Sequence, residues 1–342
     1  MTDRAAGAGG VPPALSRWTA EVDSELRRLV LGRDSLLGRM ASYQMGWVDA
    51  EGAPARAGGK YLRPNLCLWA AEARGEPASS ALAAACAIEL GHNFTLVHDD
   101  VQDGDELRRG RPTVWAVWGE AQAINGGDGL FAIALGTLLQ GEPDARRAAA
   151  ARIIIEALLE VIEGQCLDLQ NECRPDTGPE TYLRMVEAKT GALFGACLEA
   201  GAAMSGADPD EAGHFRRAGR LLGIAFQLRD DWLGVWGQPE LTGKSKANDL
   251  VRRKGSHPVI AAYDAADPSG KEELRRLYQS RGPEDEPRIR HLLMELGGPD
   301  LTVDAATTRA REAVTEIQRT GLEADRVEEF AHVAHHVAQR NR

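Results

Sequence analysis

Residues 81–103 read ALAAACAIELGHNFTLVHDDVQD. Ala81 to Val97 is the most apolar long run in the sequence, yet it carries Glu89, His92 and Asn93. Polar groups within a run of this length mark a buried helix rather than a membrane span. The run closes on His98-Asp99-Asp100-Val101-Gln102-Asp103. On a helix, Asp99 and Asp103 lie on one face, one turn apart. Like charges at that spacing cost about 0.2–0.5 kcal/mol, and the C-terminal end of a helix disfavours anions. Such a local conflict points to function. A hard divalent cation resolves it, because Mg²⁺ is typically held by one or two carboxylates together with phosphate oxygens. A solvated acidic helix end is the alternative that this cluster alone leaves open.

A second cluster, Phe226-Gln227-Leu228-Arg229-Asp230-Asp231, closes the apolar stretch from Leu221 to Ala225. Alone it reads as an exposed helix end. Paired with the first, it could form the opposite wall of a cavity holding metal and diphosphate. Basic elements accompany both. Arg108-Arg109-Gly110-Arg111-Pro112 follows the first cluster directly, and Gly58-Gly59-Lys60-Tyr61-Leu62-Arg63-Pro64 is a glycine-rich turn opening a helix. Such a turn suits close backbone approach to phosphate. Lys189-Thr190 and Gly243-Lys244 add further cations. Only six of the 40 Lys and Arg residues are lysines, and Lys60, Lys189, Lys244 and Lys254 all stand beside these elements. A compact ammonium is a different tool from the planar guanidinium, although codon bias explains any single lysine equally well. Carboxylates for metal with Arg and Lys for phosphate make the chemistry of a diphosphate site. No G-x-x-x-x-G-K-[ST] loop is present, which argues against an ATP enzyme.

A net charge of −11 argues against nucleic-acid binding. Helical periodicity covers 15–45, 62–74, 78–103, 114–140, 144–172, 179–205, 209–236, 256–265, 270–279, 286–296, 303–319 and 325–340, punctuated by Gly, Pro and Asp. The breakers include Gly297-Gly298-Pro299. This predicts one all-α domain over 15–342, preceded by a flexible tail over 1–14. The cleanest loop is 237–249. Five cysteines without metal-ligand spacing read as reduced residues of a cytoplasmic protein, and the N-terminus lacks the apolar run of a secretion signal. His332, His335 and His336 share one helical segment and read as packing or surface residues rather than ligands.

In this order the motifs resemble those of the trans-isoprenyl diphosphate synthases, or polyprenyl synthetases, over roughly residues 40 to 340, with geranylgeranyl diphosphate synthases the nearest type. Gly58 to Pro64 looks like the GGK-x-x-RP motif, and His98 to Asp103 with Arg108 to Thr113 looks like the first aspartate-rich motif and arginine pair. Lys189-Thr190, Phe226-Gln227, Asp230-Asp231, Gly243-Lys244, Asp249-Leu250 and Lys254 follow. The resemblance implies an antiparallel helical bundle around a deep central cavity, of isoprenoid synthase type. It implies two Mg²⁺ on Asp99 and Asp103 with Asp100 supporting, and a third on Asp230 with Asp231 nearby. Arg108, Lys189 and Lys244 would hold the allylic diphosphate. Lys60, Arg63, His92 and Arg109 would hold isopentenyl diphosphate. Thr190 and Gln227 would turn dipoles toward a developing carbocation, and Lys254 would close over the site with the 237–249 loop. Asp168 would face the cavity and pair with Arg108, with a helix-surface position as the alternative. A homodimer without integral membrane contact is also implied.

Two positions depart from the family pattern. Gly234 stands where the second aspartate-rich motif usually ends in Asp, which implies weaker Mg²⁺ affinity. Tyr61 replaces an Arg that is not a principal ligand. The implied reaction is ionisation of the allylic diphosphate, attack by the alkene of isopentenyl diphosphate, and proton loss to the released diphosphate. Phe94, five residues before Asp99, would floor the pocket at a twenty-carbon product, geranylgeranyl diphosphate. Farnesyl or longer-chain synthases are alternatives. So is a class I terpene cyclase, which would have no use for the isopentenyl diphosphate residues. A non-catalytic subunit of a heteromeric synthase would be expected to lack the aspartates.

Overall fold

A computed structural model describes residues 11–32, 34–55, 59–140, 144–237, 248–280 and 282–341. The helices in chain order are α1 (Thr19–Leu31), α2 (Leu36–Gln44), α3 (Leu62–Ala73), α4 (Leu82–Gln102), α5 (Val114–Trp118), α6 (Glu120–Leu138), α7 (Ala145–Gln170) and α8 (Pro179–Val186). They continue with α9 (Ala192–Met204), α10 (Pro209–Trp236), α11 (Asn248–Val251), α12 (His257–Ala265), α13 (Pro268–Ser280), α14 (Glu286–Glu295), α15 (Gly298–Gln318) and α16 (Ala324–Gln339). A π-helical turn, Glu187–Gly191, joins α8 to α9. One antiparallel hairpin, β1 (Leu107–Arg108) with β2 (Arg111–Pro112), follows α4. The all-α expectation holds.

Helix α4 packs on α3, α6, α7 and α9. From Ala84 to Gly91 every residue is buried, the signature of a core helix that is enclosed all round. Among the described residues, Ala78–Gln102 is the helical stretch long and apolar enough to cross a membrane, but 72% of that window is buried inside the protein. The second half of the bundle is built on α10, packed against α9 and α15. Asp208 fixes the start of α10 by accepting the N–H of Asp210 at 3.0 Å and of Glu211 at 2.9 Å, which satisfies two otherwise orphaned donors.

Three segments read as continuous helices are broken. The 15–45 segment ends at Gly32, and Ser35 accepts the Gly38 N–H to start α2. The 114–140 segment breaks at Gly119, whose φ of 85° suits glycine alone. The 179–205 segment carries the π turn. Helix α7 presses on that turn at Gly164, where a methyl group would stand 2.6 Å from the Lys189 Cα. Pro299, read as a breaker, instead sits in the first turn of α15, where the N–H it lacks would have no partner. Residues 1–10 of the expected tail lie outside the described residues, and Pro13–Leu15 forms a 3₁₀ turn that buries Ala14.

One buried carboxylate ties three helices together. Asp231 on α10 is 7% exposed. It accepts the Tyr182 hydroxyl from α8, the Gln227 Nε2 at 2.8 Å, and the His257 backbone N–H at 2.8 Å. The last contact caps α12, whose own N-cap, Ser256, makes no side-chain capping bond. Burial lifts the Asp231 carboxyl to about 6, against the pull of these three donors. Its ordinary value is about 3.9, so its contribution to stability falls as pH rises from about 4 to about 6. Tyr182→Phe removes one donor to the charged form. It is expected to cost about 1.5–3 kcal/mol at pH 8 and clearly less at pH 5, where the carboxyl is protonated. Thermal unfolding across that range checks this; a cost that does not change with pH would show that Tyr182 does not serve the charged carboxylate.

Candidate active site

The last turn of α4 and its C-cap carry the first acidic group. The Asp103 N–H bonds to the Asp99 carbonyl at 2.8 Å, which leaves both side chains at the helix end. Burial raises the Asp99 carboxyl, and Asp103 and Asp168 raise it further, while Lys189 and Arg108 oppose them. Lys189 donates to Asp168 at 2.5 Å. Burial works against the Lys189 charge, but Asp168, Asp99 and Asp103 outweigh it and hold the ammonium above its usual value. The π turn thus delivers a cation to the carboxylates of both α4 and α7. The expected Asp168–Arg108 pair does not form. Arg108 belongs to Asp100 at 2.6 Å, and Lys189 takes Asp168 because the π turn points it at α7.

Asp100, expected to support the metal, gives one oxygen to Arg108, and its Oδ2 is buried without a partner. It is 1% exposed, it is engaged with Arg108, and burial pushes its carboxyl up to about 6 despite that arginine. Its role is to hold the hairpin. There Arg109 and Gly110 have φ of 54° and 73° between paired strands, as a two-residue type I′ turn requires. Asp231, expected near the third Mg²⁺, borders the cavity while its oxygens accept from Tyr182, Gln227 and the His257 N–H.

On α3, Arg63 stacks 4.7 Å from the Phe194 ring and donates to His92 Nε2 at 3.1 Å. An arginine only donates, so His92 Nε2 accepts and its proton sits on Nδ1. Burial, then Arg63, Arg109 and Arg108, push His92 well below its usual value, so it is neutral. Burial also lowers Arg63, whose Nε is buried without a partner. Glu89 is the nearby acid, and burial raises its carboxyl. Cations thus crowd one imidazole with little local compensation, and that surplus fits an anion. Lys60 is exposed just before Tyr61. Tyr61 opens α3 at a φ of 47° and is pinned by its hydroxyl to Asp23 at 2.6 Å, an oxygen shared with Trp47. Tyr61 is thus a structural anchor.

A cavity of about 170 Å³ joins the two acidic groups, with Asp103 and Asp168 on one side and Asp230, Asp231 and Asp249 on the other. Lys189, Thr190, Gln227 and Lys254 also line it. The Thr190 hydroxyl donates to Gln227 Oε1 at 3.0 Å, and Gln227 in turn donates to Asp231, so both polar groups are fixed in orientation. Asp230 faces the same space and is held by Arg340 at 2.6 Å. Arg340 also lies 3.7 Å over the Phe226 ring. Sequence reasoning missed Arg340, Tyr182 and the Lys189–Asp168 pair, because their partners are up to 110 residues away. Phe94 is buried against Phe131 and His98 and does not line this cavity. Lys244 and residues 238–247 of the expected lid lie outside the described residues.

Among the described residues, no three His, Cys, Asp or Glu side chains stand close enough to hold a metal unaided.

The polyprenyl synthetase family model matches residues 52–296. A geranylgeranyl diphosphate synthase from Mycobacterium tuberculosis is 38% identical over 326 residues, 93% of each chain. A (2E,6E)-farnesyl diphosphate synthase from Mycobacterium bovis is 38% identical over 321 residues, 92% of this chain and 89% of that one. The crystal structure of a polyprenyl synthetase from Streptomyces coelicolor A3(2) superimposes with a TM-score of 0.89 at 36% identity, covering 96% of this chain and 99% of that one. With one acidic group at the end of α4 and a second inside α10, not at the exposed helix end its sequence suggests, facing one cavity on a bundle shared along nearly its whole length, the chain belongs to the polyprenyl synthetase family as an all-α trans-prenyl diphosphate synthase.

Proposed function

We propose that this enzyme is Mg²⁺-dependent, condenses an allylic diphosphate with isopentenyl diphosphate, and makes geranylgeranyl diphosphate as a homodimer. The observation that carries the reading is the presence of two separate cationic sets. Lys189 stands at the acidic cavity, while Arg63, neutral His92 and Arg109 form a second group beside it. Two anionic substrates need two such sets, and a cyclase needs only the first.

Asp99 and Asp103 on one side and Asp230 on the other would hold Mg²⁺ together with diphosphate oxygens. The bound ions supply charge neutralisation to the departing diphosphate. Lys189, with Lys244 and Arg108, binds the same leaving group. Arg63 and Arg109 fix the isopentenyl diphosphate, and His92 offers its Nδ1 proton as a donor. Lys254 lines the acidic cavity, and Lys60 would add a cation to the isopentenyl diphosphate group. Thr190, having donated its proton to Gln227, turns an oxygen toward positive charge on the allyl group.

The two mycobacterial relatives carry names for different product lengths at equal identity, so product length rests on the pocket floor. Phe94, stacked on Phe131, is the residue proposed for it. For the dimer, Ile155, Leu159, Ile162 and Leu169 are 41–57% exposed and recur on one face of α7, an apolar stripe of the kind that marks an interface.

Incubation with Mg²⁺, isopentenyl diphosphate and each allylic starter should give elongated product, and none without isopentenyl diphosphate. Asp103→Ala should lower kcat by about 10²–10³. Product from an allylic diphosphate alone would favour the cyclase. Phe94→Ala should lengthen the product, and an unchanged length sinks the floor assignment. Leu159→Arg should convert a dimer, measured by light scattering, into a species of 36.9 kDa; a monomeric parent chain would refute the interface.

A further inference from the structure

Arg253 stands between the Asp249-Leu250 pair and Lys254, and its conformation is unusual. Its φ is 56°, a region where a residue with a side chain is strained. The hydrogen bonds around it explain the geometry. The Arg253 N–H bonds to the Leu250 carbonyl at 3.2 Å, and the Lys254 N–H bonds to the Asp249 carbonyl at 2.9 Å. These two bonds make a Schellman cap on α11, in which the left-handed position usually belongs to glycine. Here it holds an arginine that is 1% exposed. The guanidinium donates to three backbone carbonyls: Leu250 on α11, Leu277 on α13 at 3.1 Å, and Gly282 beyond α13. Asp285 is 3.8 Å away. A left-handed arginine and a buried cation are each unfavourable, and one residue keeps both.

We propose that Arg253 is a positioning residue for the reaction: it fixes the root of Lys254 so that this ammonium faces the allylic diphosphate. Lys254 lines the acidic cavity with Lys189, Asp103 and Asp230, while Arg253 does not line it. The cap turns the chain at Arg253, and the next residue is bonded at both of its backbone groups. The Lys254 N–H is taken by Asp249, and the Lys254 carbonyl accepts the Tyr278 hydroxyl from α13 at 3.1 Å. Glycine would close the same cap, but it would leave residue 253 without a link from α11 to α13. The arginine adds that link. The lysine stem therefore starts from a fixed point, and less conformational freedom is lost when its ammonium meets phosphate. The inference rests on the reading of the acidic cavity as the diphosphate site.

The test measures binding without turnover. Isothermal calorimetry in the presence of Mg²⁺ follows an allylic S-thiolodiphosphate, which ionises slowly, and separately isopentenyl diphosphate. Lys254→Ala should weaken the allylic analogue about 10–100-fold, as loss of a charged hydrogen bond does. Arg253→Gly retains the left-handed turn and removes the guanidinium. It should weaken the analogue about fivefold or more and leave isopentenyl diphosphate within about twofold. The double variant should bind the analogue no more weakly than Lys254→Ala alone, because Arg253 acts through that ammonium. A merely structural arginine would instead weaken both ligands alike and add its loss to that of Lys254→Ala. Either of those results overturns the inference, and so does a folded Arg253→Gly that binds the analogue as the parent does. If a thermal melt shows Arg253→Gly unfolded, Arg253→Lys, whose ammonium cannot span three carbonyls, is held to the same outcomes. If Lys254→Ala binds the analogue as tightly as the parent, the diphosphate role of Lys254 fails and the inference falls with it.

Discussion

The structure depends on one electrostatic constraint: α4 ends in three aspartates at the pole where its own backbone is already negative. Nothing local compensates them, so cations must come from elsewhere in the chain. Arg108 returns on a hairpin that immediately follows the helix and is held by Asp100. Lys189 arrives on a π turn from the far side of α7. Neither cation neutralises the group fully, since Asp99 stays raised by burial and by its neighbours Asp103 and Asp168. A surplus of negative charge on α4 and of positive charge around His92 are separated rather than cancelled, and a metal–diphosphate pair fits between them.

The aspartates divide into two kinds of work. In each pair one carboxylate is nearly enclosed and structural, while its neighbour is more accessible. Asp100 holds the hairpin and Asp231 ties α8, α10 and α12, each with its carboxyl raised to about 6 by burial. Adjacent residues on a helix point about 100° apart, so the two carboxylates of a doublet meet different neighbours even where, as with Asp230 and Asp231, both border one cavity.

Much of this was legible in the sequence. The apolar run ending in aspartates identified α4, its burial and its active end, because helical periodicity and charge placement are local properties. The ordered set of motifs identified the family. What escaped were the pairings. The choice of Lys189 over Arg108 as the partner of Asp168 turns on a π turn, and no periodicity announces one. Arg340 reaches Asp230 from the other end of the chain, and the close approach of the Asp249 carboxylate to Gly234 is visible only in three dimensions. The first residue of an acidic doublet could be ranked above the second only through family likeness.

The π turn carries a further consequence. It holds one residue more than regular winding would, and it stands between α8, which supplies Tyr182, and α9, which is almost wholly enclosed. Deleting a single residue there would let the chain wind regularly with α8 and α9 still in nearly the same mutual orientation, because the wider turn fits its extra residue into the span of an ordinary one. What would be lost is the bulge that carries Lys189 to Asp168. The segment can therefore change length by one residue without disturbing either flanking helix, at the expense of the one ion pair it delivers.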